Sequence, residues 1–571
     1  MKQIIRSEFL SRVSGATLDE DVKSKNIVPN EFYNKDTPHF GSRATSGLNP
    51  YSGTFGKAEL SHLLRRTLFG VAKADMDHFN GMALSQVLTA ILTASATPQP
   101  PLNAYNDANF TDADIPFGQT WVNASNNANS VNANGRRRNS LKQWWAGLIL
   151  NQDRNITEKM NLFWHNHFAT ETVVISDSRF AYKHHALLRA NALGNFKTLT
   201  KLVTTDPGML AYLNGDTNTK NSPNENYGRE LQELFTIGKG PDSHYTEDDV
   251  KAAAKALTGW KIDRNTVTSY FDSTKHDTTD KQFSSFYNNT VIVGQAGTNG
   301  ANESDQLIDM LFLSTETAKF ISRKLYRFFV YYVIDQQVES DIITPMADII
   351  RTNNYDILPA LRALLESEHF FDPLNIGCHI KNPVDHLAGI ARQYNIAFPD
   401  SSNLGNQYKG WGILATSLNI LTMDLGDPPN VAGWPAYYQE PAFHELWINS
   451  NTLPYRNQVS DLLGSLTGFK SGQVILKIDF IAFADQTSDP SNPNTLIADS
   501  AGLLSPSDLG TTQSDFLKSI LLSNQTADHY WTDAWNLYKA DTSNQTNKTI
   551  VETRLRSMYT YLMNLAEYQL I

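Results

Sequence analysis

The sequence holds a single cysteine, Cys378, among 571 residues, which excludes an intramolecular disulfide framework and any thiolate metal cluster. It also lacks an apolar run near the ~18 residues that a membrane span requires. The longest candidate, Phe328 to Ile334, is short and flanked by charge. Positive charge is in deficit: 48 Lys and Arg against 59 Asp and Glu give a net charge of −11. Without a basic face, nucleic-acid binding through phosphates is not expected. The one dense basic run, Arg136-Arg137-Arg138, follows an Asn/Ser/Ala-rich stretch from Asn123 to Asn134 and reads as a solvated loop leading into a helix.

Strand signals are scarce as well, limited to Tyr270-Phe271, Val291 to Val293 and the alternating stretch Val474 to Phe480. The expected fold class is therefore mainly α, a large multi-helix orthogonal array or bundle with a few short β additions. No repeat of fixed period supports a solenoid. What the chain does have is core-forming material: 41% hydrophobic residues, with 10 Trp, 23 Tyr and 28 Phe, in a length beyond the ~250–300 residues at which single cores usually stop growing.

Three regions are expected. Residues 1–55 are polar and lack a sustained period, so they read as an N-terminal arm; 56–470 read as the main helical domain, with a loop insertion over 94–137; 471–571 read as a C-terminal helical segment packed on it. Apolar periodicity predicts helices near 138–151, 156–169, 178–193, 195–204, 224–237, 247–258, 303–312, 315–330, 337–352, 357–367, 382–395, 405–420 and 448–466, then near 506–523 and 548–567.

Chemistry concentrates in three segments. The helix over 224–237 should be capped by Ser222, with Pro223 in its first turn and Glu225 completing a capping box, and should end at Gly238. At ~100° per residue, Tyr227, Leu231, Leu234 and Phe235 fall on one side. Asn226, Arg229, Glu230 and Glu233 fall on the other. Facing solvent, that stripe is an amphipathic surface with an Arg229–Glu233 pair; facing inward, Glu230 and Glu233 are candidate metal ligands or acid/base groups. The second segment, Asn161 to Phe168, sets His165 and His167 in an aromatic run. Two positions apart on a helix they point ~200° apart, so they cannot both reach one metal unless the helix ends between them. The third is His276-Asp277, a ligand pair or a base with its orienting carboxylate, or an ordinary loop pair. Lys324 and Arg327, one turn apart among aromatics, would place their heads on carboxylates such as Glu230 or Glu233, making with Arg229 a structural polar network.

These segments, with Tyr245 to Val250, Leu257 to Trp260, Phe320 to Val330, Lys381-Asn382-Pro383-Val384-Asp385, Pro428 to Pro435 and Trp447 to Ser450, resemble in order the signature blocks of a large bacterial family of unknown function, DUF1800. Asp385 stands where that family more often has Glu. The resemblance implies a mostly helical protein of the cell envelope or secretome, often encoded beside a second exported family that resembles the sulfatase and alkaline phosphatase fold. Periplasmic or extracellular residence is thus expected, although Arg6-Ser7-Glu8-Phe9-Leu10 is only a degenerate twin-arginine motif with no apolar stretch after it. No catalytic role transfers with the resemblance.

Two functions compete. One is a metal-assisted or acid/base hydrolase in which Glu230, Glu233, His276 and Asp277 act and His165 or His167 joins the two glutamates on a divalent metal. The other is a non-enzymatic secretion, assembly or partner-binding protein whose polar cluster is an ion-pair network. Carbohydrate binding by exposed Trp and Tyr is the weaker reading, because aromatics in a large helical body go mainly to its core.

Overall fold

The computed structural model describes residues 47–571. It is mainly α-helical, and its β structure is three two-stranded antiparallel sheets. The export-like motif and most of the N-terminal arm lie outside the described residues. The arm's last residues pair with the body: Tyr51 N–H donates to Glu366 O at 2.8 Å, and Ser52 donates twice to the Glu368 carboxylate.

Two long helices, Ala128–Leu150 and Leu404–Ile420, pack against each other at the centre. Their closeness depends on glycine: a Cβ on Gly147 would sit 2.6 Å from the Trp411 ring, and one on Gly412 would sit 2.8 Å from the Gln143 amide. The first helix also corrects the reading of the arginine run. Asn127 caps it by accepting from Ser130 N–H at 2.9 Å, so the run lies inside the helix rather than before it. Arg137 is fully buried and holds Asp112 with both Nε (3.0 Å) and Nη2 (2.8 Å). The insertion expected over 94–137 therefore ends ten residues early, and Arg137 is what pins it.

The helix Thr157–His167 is buried along its entire length. A helix buried all round is normally apolar, yet this one carries Glu158, Lys159, Asn161, His165, Asn166 and His167, so each polar group must find a partner. Glu158 accepts from Arg189 (2.8 Å), Lys159 pairs with Asp385, Asn161 donates to His185 (2.9 Å), and Asn166 accepts the Trp434 N–H (2.8 Å). These partners come from three other segments, the helix Ser178–Ala190, the helix Pro383–Gln393 and the turn at Trp434, which makes this helix the hub of the fold.

The helix expected over 224–237 departs from its reading at both ends of its first turns. Asn224, not Ser222, caps it, and after Glu225–Glu230 the chain widens into a π turn over Leu231–Thr236 before ending at Gly238, with φ of +85°. Side chains feed the widened turn: Gln232 donates to Gly228 O (2.9 Å) and accepts from Tyr287 Oη (2.7 Å), while Thr236 donates to Leu231 O (2.6 Å). The next helix, Glu247–Ala256, follows its expectation, with Thr246 as cap and Gly259 beyond its end at φ +98°. The alternating stretch from Val474 is a strand only to Leu476; Asp479 then caps a helix over Phe480–Ala484.

The described residues, 47–571, belong to one compact unit. The helix Pro493–Leu504 packs on Thr511–Leu521, and both Thr511–Leu521 and His529–Ala540 pack on Gln545–Asn564. They are tied back to the start of the body where Arg65 donates to the carbonyls of Leu503 (2.7 Å) and Ser505 (2.8 Å), and where Ile380 bridges to Leu570. Among the described residues no helix is long and apolar enough to cross a membrane.

Candidate functional site

The residues expected to converge on a metal go to separate surroundings. His165 is 3% exposed and lies edge-on to Trp145 (5.1 Å between centroids) and beside Trp434 (5.7 Å), with neither ring nitrogen hydrogen-bonded. Burial, reinforced by nearby His184 and Lys142, pushes its pKa down to about 3. His167 donates from Nε2 to Phe235 O (3.1 Å) and accepts at Nδ1 from Lys324 (3.1 Å). Glu230 is half-buried, its carboxyl raised by desolvation and by Glu233, which itself pairs with Lys239. Among the described residues no group of three or more His, Cys, Asp or Glu side chains is placed to hold a metal ion, so the donor set does not fit the expected divalent metal.

His276 and Asp277 part in the same way. His276 donates from Nδ1 to Thr258 O (2.9 Å), and its Nε2 lies 3.0 Å from Glu303, a carboxylate absent from the sequence reading. Asp277 accepts from Thr279 instead. The proposed polar network is redrawn too. Arg229 holds Glu247 (2.7 Å) and Glu225 (3.3 Å) rather than Glu233. Lys324 caps the π turn at Leu234 O (3.2 Å), and Arg327 donates to Tyr332 O (3.3 Å) and lies 3.8 Å from Glu440. Neither reaches Glu230 or Glu233 because the π turn's end and the aromatic Phe320 and Phe443 rings occupy their heads.

Where the signature blocks do meet is a narrow cleft. Arg327 and Phe328 come to it from one block, Asn382 and Asp385 from a second, Ala436 and Tyr437 directly after a third, and Trp447 from a fourth. Arg66 from the helix Lys57–Thr67, Lys159 from the buried hub helix, and His379 and His444 complete the wall. About 40 Å³ of it is reachable by the centre of a water-sized sphere, room for a few waters or one small oxyanion.

Its electrostatics are one-sided. Arg66, Lys159 and Arg327 line it, and Asp385 is the only side-chain carboxylate among its lining residues, which also include the last residue, Ile571. Asp385 accepts from Lys159 at one oxygen and from Asn382 at the other (2.7 Å), and Asn382 donates on to Tyr437 Oη (3.2 Å). Behind this layer sit Arg65, Lys381 and Arg456, all buried. Backbone carbonyls, not carboxylates, solvate them: Lys381 donates to Tyr568 O (2.6 Å) and Arg456 to Lys381 O (2.8 Å). Burial pushes Arg65 down to about 10 and Arg456 to about 9, and burial with the charges of Arg65 and Arg456 holds Lys381 well below the usual lysine range. Among the described residues none of Arg65, Arg66, Lys381 and Arg456 has a carboxylate partner.

Donors in the cleft also lack acceptors. The Ile380 amide donates to His444 Nδ1 at 3.2 Å, so the ring proton is on Nε2, and that buried Nε2–H has no partner. Burial, with Arg66 nearby, pushes the His444 pKa down to about 4, keeping it neutral. Arg66 gives Nη2 to the carbonyls of Val330 (3.0 Å) and Asn375 (3.2 Å) but leaves Nε unpartnered. Tyr437 is held as a phenol by burial, with the Asp385 charge adding to the effect. A buried N–H without an acceptor costs ~1–3 kcal/mol, so cations and donors both favour an acceptor-rich, negatively charged occupant.

Of these residues only Arg327 was given a role from sequence; Phe328, Asn382, Asp385 and Trp447 entered only as members of the signature blocks. Lys159 carried a signal in retrospect, a lysine in a helix with no solvent face; His379 and His444 stand alone in the sequence and gave none. No curated protein and no solved structure matches the chain. The model of the family described as "Protein of unknown function (DUF1800)" matches residues 62–570, nearly the whole chain, and with the cleft assembled from the blocks that suggested it, the protein belongs to the DUF1800 family.

Proposed function

We propose that the protein recognises an anion-bearing ligand in the cleft walled by Arg66, Lys159, Arg327 and His444. The observation that carries this reading is the excess of cationic side chains around one side-chain carboxylate, Asp385, which is itself engaged by Lys159 and Asn382. Buried cations are normally paired; here an incoming carboxylate, phosphate or sulfate supplies the missing charge. Recognition is favoured over hydrolysis because both oxygens of Asp385, the one side-chain carboxylate in the cleft, are already held by Lys159 and Asn382. Residence in the periplasm or outside the cell is part of the proposal, on the family resemblance alone.

The test is calorimetric titration with sulfate, phosphate and acetate in an otherwise anion-poor buffer, together with thermal unfolding. Saturable binding that raises the melting temperature, weakened about tenfold by His444→Phe through loss of one charge-assisted hydrogen bond, is expected. If none of the three anions binds or stabilises the protein, the reading is wrong.

A further inference from the structure

The cleft does not end at Trp447. Ala436 and Trp447 also form the wall of a second, open groove in which about 590 Å³ is reachable by the centre of a water-sized sphere. Its polar side chains are amides, a hydroxyl and two carboxylates. Asn419, Thr422 and Gln439 are exposed amides and a hydroxyl, and Asp424 and Asp427 stand beside them, bridged by Lys142 at 2.7 and 2.5 Å. Asp427 is used up by Lys142, Thr172 and the Val173 amide, whereas only Oδ1 of Asp424 is taken. Pro429, Pro435 and Leu446 give the groove apolar ground between the polar groups.

Side chains that both donate and accept, interleaved with small apolar surfaces, suit a ligand whose own groups both donate and accept, namely hydroxyls on a carbon ring. A nucleotide base would need an open aromatic face, and Trp447 is 3% exposed. A second phosphate would meet Asp424 and Asp427. Both compartments also hold a bulky residue in the left-handed region, Thr422 at φ +70° in the groove and Phe443 at φ +43° in the cleft. Such strain in a β-branched or aromatic residue is costly and gathers at ligand sites.

We infer that the ligand is a saccharide bearing an anionic substituent, with the carboxylate or sulfate in the cationic cleft and the sugar hydroxyls in the groove of Asn419, Asp424 and Gln439. This rests on the anion reading of the cleft and adds the body to which the anion is attached.

Calorimetry on the full chain with short oligosaccharides carrying a carboxylate or a sulfate, their neutral counterparts, and free acetate and sulfate tests it. The expected result is that an anionic oligosaccharide binds at least tenfold tighter than either the free anion or the neutral sugar. Asn419→Ala with Gln439→Ala, both on the surface and so safe for folding, removes that gain and leaves free-anion affinity unchanged; His444→Phe weakens both. If the free anions bind and no oligosaccharide binds tighter, or the double variant changes nothing, the saccharide inference falls while the anion site stands. If neither free nor sugar-borne anions bind, both fall.

Discussion

Glu303 Oε1 lies 3.0 Å from His276 Nε2 and its Oε2 lies 2.5 Å from Lys281 Nζ, with all three side chains closed to solvent. The histidine that looks catalytic beside Asp277 is thus one arm of a buried polar triad that ties the 258–281 region to the helix Asn302–Leu311. Glu303→Gln leaves Lys281 buried with only the more distant Asp277 carboxylate, 3.9 Å away, as counter-charge and should cost up to ~3–5 kcal/mol in urea unfolding. Asp277→Asn, which keeps an acceptor for Thr279, should cost under ~1 kcal/mol.

Acid should weaken the fold through neutral histidines. Burial pushes His62 and His165 to about 3 and His444 to about 4, against ~6.5 for a free imidazole. Between those values the unfolded chain binds protons that the folded chain refuses. The stability is therefore complete above ~6.5 and falls as pH drops towards the folded values, by up to ~1.4 kcal/mol per pH unit for each histidine. Denaturant midpoints measured from pH 7 to pH 4 should fall steeply in the parent and less so in His165→Phe.

Lys324 acts in a higher window. Burial, with Arg327 adding to it, pushes its amine down to about 7, below the ~10.4 of a free lysine. Here too the unfolded state holds the extra proton, so the Lys324 contribution is lowest at and below about 7 and rises as pH climbs from there towards ~10. Lys324→Met should lose that rise. A variant with the same slope as the parent between pH 7.5 and 9.5 would contradict this.

Glu230→Gln combined with Glu233→Gln should leave metal content, measured by elemental mass spectrometry on tag-free protein, at the level of the parent. Loss of a stoichiometric metal in the double variant would restore the reading in which these two carboxylates are ligands.

Gly433→Ala should be among the most damaging single changes. Gly433 sits at φ +94°, and a Cβ there would fall 2.3 Å from Asn166 Oδ1, the atom that accepts the Trp434 amide. A loss of ~2–4 kcal/mol is expected from strain and a broken buried hydrogen bond together, and ligand binding should go with it, since Ala436 and Tyr437 follow directly.

The fold class was legible because most helices here bury one face, and that period is written in the chain; Glu247–Ala256, with Thr246 before it and Gly259 after it, could be placed almost to the residue. The π turn over Leu231–Thr236 was not legible, because one extra residue per turn leaves the apolar spacing nearly unchanged while rotating everything beyond it. Arg137 was hidden by its neighbours: three adjacent arginines suggest solvent, but consecutive helical positions point ~100° apart and one of them must face in. The cleft was the least legible. Its members sit far apart in sequence, and Asn382 serves its own helix as well, capping it by accepting from the Asp385 amide at 2.8 Å.

The Lys159–Asp385 pair joins positions 226 apart in the chain, and the Arg66 contacts to Val330 and Asn375 span 264 and 309. Contacts of such long range close late, after local helices have formed. Binding competence is therefore a clock for completed folding: on refolding from denaturant, helical signal should return first, and the cleft should become competent only in the final phase, once residues near 66, 159, 330 and 385 have all arrived.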